Sequence, residues 1–167
     1  MMRTIIVHVE DKPGVLARVV SLFRRRGYNI ESLTVGHSAR PGVSRITLVV
    51  EADEDAARRI EANVYKLVNV LLVEDITGEA AVVREMALIK VKADPARRAE
   101  ILQLGDVFRA RAVDVAATSL VFEITGTQDK IDGLLDVLAP YGVLEMVRTG
   151  ALAMTRGAEA VPEVIAA

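Results

Sequence analysis

The chain has 167 residues, 51% of them apolar and 26% charged, the composition of one large or two small globular domains. With no cysteine and a net charge of −2, it has no disulfide framework, thiolate nucleophile or Cys-based metal site, and no electrostatic reason to bind nucleic acid or an anionic membrane. No apolar run reaches the roughly 18 residues of a membrane span, and Met1-Met2-Arg3-Thr4 leads directly into a strand without a signal-peptide core, so the expected location is cytoplasmic.

Arg3 to Glu10 is rich in Ile and Val and reads as a strand. Pro13 to Arg26 carries Val15, Leu16, Val19, Val20, Leu22 and Phe23 at helical spacing, with Pro13 suited to the first helical position, Lys12 at the N-cap and Gly27 as the terminating residue. Tyr28 to His37 and Ser44 to Ala52 form a strand pair around the turn Ala39-Arg40-Pro41-Gly42. Asp53 to Lys66 opens with an acidic turn and reads as a helix with Ala57, Ile60, Val64 and Leu67 on one face, and Leu67 to Ile76 closes the set as a strand.

After Thr77-Gly78-Glu79-Ala80 the order restarts. Glu85 to Ala93 is a strand; Asp94-Pro95 reads as an N-cap and first helical residue of a helix to about Arg109, with Ile101, Leu104, Val107 and Phe108 inward and Gly105 a local weakness. Ala112 to Ala117 and Leu120 to Thr125 pair, Thr127 caps a helix carrying Ile131, Leu134, Leu135 and Leu138, and Val143 to Thr149 closes the sheet ahead of a tail from Gly150 to Ala167. The pattern is βαββαβ twice, an α+β chain of two ferredoxin-like domains over residues 1–78 and 79–167. Each sheet would be covered by helices on one face only, so the fairly apolar second face predicts association between domains or chains.

Two stretches carry the chemistry. In Glu10-Asp11-Lys12-Pro13-Gly14-Val15-Leu16 the N–H groups of Gly14, Val15 and Leu16 start a helix without an evident cap, and the helix dipole adds partial positive charge there. Gly14 lets a ligand reach the backbone, which suits a carboxylate. The second stretch is Arg26-Gly27-Tyr28-Asn29-Ile30-Glu31-Ser32-Leu33, where the helix stops and the next strand begins.

Together with Thr34-Val35, Ser44-Arg45, Lys66-Leu67-Val68, Arg84-Glu85, Ile89-Lys90-Val91, Arg148-Thr149-Gly150 and Arg156-Gly157, these runs resemble the regulatory small subunit of acetolactate synthase (acetohydroxyacid synthase) over nearly the whole chain, with an ACT domain at the N-terminus. The resemblance implies a non-catalytic subunit that binds and activates a separate catalytic chain carrying thiamine diphosphate, Mg²⁺ and FAD, and transmits feedback inhibition by valine in branched-chain amino-acid biosynthesis. It further implies a homodimer paired through Tyr28 to Val35, with the effector at the seam. By position, the N–H groups of Gly14, Val15 and Leu16 would hold the valine carboxylate. Asp11 and Asn29, with the backbone near Ile30, would orient the ligand and take its ammonium group. Valine, leucine and isoleucine stay open as effectors.

Simpler readings stand beside these. Asp11 alone could close an Asx turn, and Asn29 alone could serve the turn after Gly27. Arg24-Arg25-Arg26 suits a solvated last helical turn. His8 and His37 lie on separate strands without metal-ligand spacing, and Ser32 and Ser44 lack a base, so neither a metal site nor a catalytic residue is expected. A stand-alone amino-acid-binding ACT module acting on another target is the alternative function. An acylphosphatase-like hydrolase lacks a cationic side chain to open the first loop, and a DNA-binding regulator lacks a DNA-reading element.

Overall fold

The computed structural model describes residues 1–157 and Pro162. Its first half runs β1 (Met2–Glu10), α1 (Val15–Arg25), β2 (Ile30–His37), β3 (Val43–Glu51), α2 (Glu54–Val64) and β4 (Val70–Asp75). The four strands form an antiparallel sheet in the order β2-β3-β1-β4, leaving β2 and β4 as edges. Alternation along β1 and β3 sends Ile5, Val7, Val9, Ile46, Leu48 and Val50 to one face. There they pack against Val15, Val19 and Phe23 of α1 and Ile60 and Val64 of α2.

The second half repeats the plan with β5 (Ala81–Lys92), α3 (Arg98–Val107), β6 (Arg111–Val115), β7 (Ser119–Gly126), α4 (Gln128–Leu138), a 3-10 turn (Ala139–Tyr141) and β8 (Val143–Arg148). Its strand order, β6-β7-β5-β8, matches that of the first half. Ile89, Val91, Phe122 and Ile124 meet Ile101, Ile131 and Leu134 in a separate core. The expected pair of ferredoxin-like βαββαβ sheets is therefore present.

Several local expectations give way. The first helix begins at Val15, not at Pro13, and its N-cap is Gly14 rather than Lys12. Gly14 has φ 82° and ψ −8°, and Val15 N–H reaches Lys12 O at 3.4 Å. Pro13-Gly14 thus occupies the two central positions of a type II turn, whose second position requires the left-handed conformation that ends helical continuity. In the second half the chain turns through Pro95, with the N–H groups of Arg97 and Arg98 donating to Asp94 O, and α3 starts about a turn late. Val107, expected inward, is 77% exposed. The buried positions are Ile101 and Gly105, because α3 sits so close to β7 that a Cβ on Gly105 would lie 2.4 Å from the Phe122 ring. Thr127 occupies the N-cap of α4, yet its side chain makes no capping bond.

The chain divides into two compact units: Met1–Val82 joined by the segment from Ala151 to Gly157, and Val83–Gly150. The first unit ends at Val82, a few residues past Gly78, and the returning segment with the unexpected strand β9 (Leu152–Thr155) groups with it. Ala151 N–H donates to Ser32 Oγ at 2.8 Å, the Arg45 guanidinium donates to Ala153 O, and Arg156 N–H donates to Ala80 O at 2.8 Å. That segment lies on the face opposite the helices, where Ile6, His8 and Thr47 are buried. The rest of the tail expected to Ala167, beyond Gly157 and apart from Pro162, lies outside the described residues.

Candidate functional site

The loop after β1 is built from three sides. Asp11 N–H donates to Gly42 O at 2.8 Å, tying the loop to the β2–β3 turn. Glu10 N–H donates to Asn69 O, and the Asn69 side-chain amide donates back to the Glu10 carboxylate at 2.7 Å. Lys12 Nζ donates to the same carboxylate oxygen at 2.8 Å, while Arg18 of α1 donates to Asn69 Oδ1 at 2.6 Å. The bonds from Lys12 and then Asn69 hold the Glu10 carboxyl below its usual pKa. The Lys12 charge is therefore committed to Glu10 beside it.

Within this frame the start of α1 stays open. No side chain among the described residues caps it. Val15 N–H makes only the long turn bond, and no hydrogen bond is made to the N–H of Gly14 or Leu16 among the described residues. Gly14 is exposed, and a Cβ there would meet nothing within 4 Å, so the backbone is approachable from solvent. Val15 buries its side chain in the core and keeps its amide at the opening. Unpaired amides at a helix start with its positive dipole end can hold a carboxylate.

Asp11 stands beside this opening. An Asx turn cannot form, because the residue two positions on is Pro13, which has no N–H. The carboxylate instead accepts from Ser44 Oγ at 3.2 Å and lies 3.4 Å from His37 Nδ1. Ser44, His37 and Asn69 are the residues that sequence reasoning did not place here. Strand register brings His37 opposite Ser44 and Ser44 opposite Val9, while Asn69 reaches Glu10 from the connection before β4.

Asn29 and Ile30 sit elsewhere. α1 ends in a Schellman motif, with Gly27 at φ 73°, Gly27 N–H to Arg24 O at 3.2 Å and Tyr28 N–H to Phe23 O at 3.1 Å. Asn29 follows, exposed, its amide donating to Glu31, and Ile30 opens β2 against the core. Ile30 pairs with Val50, whereas His37 pairs with Ser44. Asn29 and Asp11 therefore lie at opposite ends of the 8-residue β2, about 23 Å apart at roughly 3.3 Å per residue. One chain does not bring the two halves of the expected site together. Arg24, Arg25 and Arg26 are exposed at the end of α1, as a solvated helix end requires, with Arg26 donating to Asn63.

Comparison with known proteins follows the same two halves. Residues 5–72 match the model of the AHAS small subunit-like ACT domain, and residues 84–157 that of the small subunit of acetolactate synthase. The chain is 50% identical over 157 residues to a probable acetolactate synthase small subunit of Archaeoglobus fulgidus, covering 94% of this chain and 98% of that one. It is 45% identical over 160 residues to the acetolactate synthase small subunit of Bacillus subtilis, covering 95% and 93%. The crystal structure of the acetolactate synthase small subunit from Thermotoga maritima superposes with a TM-score of 0.88 at 41% identity, covering 95% of this chain and 99% of that one. The chain belongs to the family of acetolactate synthase small subunits, the regulatory rather than the catalytic component of that enzyme.

Proposed function

We propose that this chain binds the catalytic subunit of acetolactate synthase, raises its activity, and makes it subject to feedback inhibition by valine or a related branched-chain amino acid. Thiamine diphosphate, Mg²⁺ and FAD would be carried by the catalytic partner. The observation that carries the effector reading is the placement of the two half-sites at opposite ends of an edge strand. Among the described residues no strand pairs with the outer edge of β2, and an edge strand is a template for pairing with a second copy. Antiparallel pairing of β2 with its symmetry mate about a twofold near Leu33 and Thr34 sets position 29 of one chain beside position 38 of the other. That arrangement carries the partner's Asn29 to the end of the sheet where Asp11 and Gly14 lie, and closes two equivalent sites per dimer.

In such a site the effector carboxylate binds the open N–H groups at Gly14, Val15 and Leu16. Its ammonium group lies between Asp11 and the partner's Asn29, beside the Ile30 backbone. A ligand bound across the seam favours the seam geometry that fits it, and it shifts catalytic activity only through different affinities for two states of the complex. The test is acetolactate formation by the catalytic subunit, with and without this chain, across a valine titration. Activation that valine reverses is the expected result. Absence of activation would remove the catalytic partner and leave an ACT module with another target.

A further inference from the structure

We infer that Ser44, with His37, positions the Asp11 carboxylate to receive the effector's ammonium group, so that the site selects amino acids over carboxylic acids of the same shape. The inference rests on the amino-acid reading above and adds two residues to it. Asp11 follows β1, which lies inside the sheet, yet its carboxylate does not stay there. One oxygen is held by Ser44 Oγ of the neighbouring β3 at 3.2 Å, and the other lies 3.4 Å from His37 Nδ1 at the end of β2. The carboxylate thus reaches across the end of the sheet, from β1 over β3 towards the free β2 edge where a second chain would pair.

The two supports differ in kind. Ser44 is buried at 8% exposure and is pinned in register between Val9 and His37, so its hydroxyl is a fixed donor. His37 is exposed at the end of β2, with Nδ1 3.4 Å from the second carboxylate oxygen. The Ser44 bond orients one oxygen, the His37 imidazole stands beside the other, and lone pairs are left over for a third donor, since an ionised carboxylate has about four acceptor sites. Asp11 N–H, donated to Gly42 O at 2.8 Å, ties the backbone at this residue to the β2–β3 turn. A carboxylate held this way costs less to order around an incoming ammonium group than a freely rotating one. Ser44 and His37 are positioning residues, acting through Asp11.

NMR titration of the full chain with L-valine and with 3-methylbutanoate, the same molecule without its amino group, reads the effect. Wild type binding valine more tightly than 3-methylbutanoate is the starting condition, and failure to bind valine at all would defeat the amino-acid reading and this inference with it. In Ser44→Ala, valine affinity should fall by about threefold to tenfold, the range for one lost hydrogen bond, while 3-methylbutanoate is unaffected. Ser44→Thr, which keeps the hydroxyl, should restore valine binding. His37→Ala provides the same comparison from the exposed side, where folding is not at stake. An unchanged valine affinity in both alanine variants, or an equal loss for both ligands, would overturn the positioning role and leave the amino-acid site standing.

Discussion

His8 gives the first unit a pH dependence that one substitution should remove. Its side chain is 5% exposed, Nδ1 is buried without a hydrogen bond among the described residues, and Arg45 and Leu72 stand on either side of it in register. Burial first, and then the Arg45 charge, lower its pKa from 6.5 to about 4. Below pH 6.5 the unfolded chain takes up a proton that the folded chain refuses until about pH 4. Stability from this residue is therefore complete above pH 6.5 and is lost as the pH falls towards 4. Between pH 7.5 and 4.5 the loss is ~2–3 kcal/mol by linkage. Urea unfolding followed by circular dichroism at both pH values, for wild type and His8→Leu, isolates the term. Carboxylates such as Glu74, whose pKa is raised mainly by burial, contribute to both proteins and largely cancel. Wild type should lose ~2–3 kcal/mol more than the variant on acidification; equal losses would refute a neutral, desolvated His8.

Gly14→Asp keeps the turn, since aspartate tolerates positive φ better than most residues, but sets a carboxylate at the amides proposed for the effector; the complex should still be activated and should need at least ~10-fold more valine for inhibition, a shift of about 1.4 kcal/mol, read from the inhibition curve. Gly105→Ala drives a methyl into the Phe122 ring at 2.4 Å. Because that ring is 1% exposed and cannot swing away, thermal unfolding should report a loss of ~2–3 kcal/mol. Asp53→Ala removes the cap accepting Ala56 N–H at 2.7 Å and should cost about 1 kcal/mol in the same assay. Val35→Arg, on the β2 edge and 42% exposed, places two cations near the proposed twofold and should shift light-scattering mass from dimer towards monomer while leaving the circular dichroism of the chain unchanged.

The strands and helices were legible because their apolar periods agree with their ends. Gly27 stops α1 as its position demanded, and Asp53 caps α2 as its acidic turn suggested. What failed locally was a choice between two motifs that share residues. Lys12-Pro13-Gly14-Val15 satisfies a helix start and a type II turn alike, and the φ of Gly14 decides for the turn. Val107 was misplaced because Gly105 is a close-packing contact and not only a helix weakness, which turns the buried stripe towards residues 101 and 105. Ser44, His37 and Asn69 reach the loop through strand register and a returning connection, and local pattern carries neither. β9 carries no clear period because Leu152–Thr155 is a short strand whose one buried member, Ala153, is small.

Mixed dimers test most directly whether the effector site spans two chains. Gly14→Asp and Asn29→Ala chains, carrying different tags and co-expressed, give a heterodimer in which one seam site combines both defects and the other combines neither. Valine binding by the purified heterodimer is then compared with that of each homodimer, in which every site is defective. The homodimers should fail, and the heterodimer should recover one intact site with wild-type affinity. A site contained within one chain would leave a defect in both protomers, and a heterodimer that binds no better than its parents would contradict the seam.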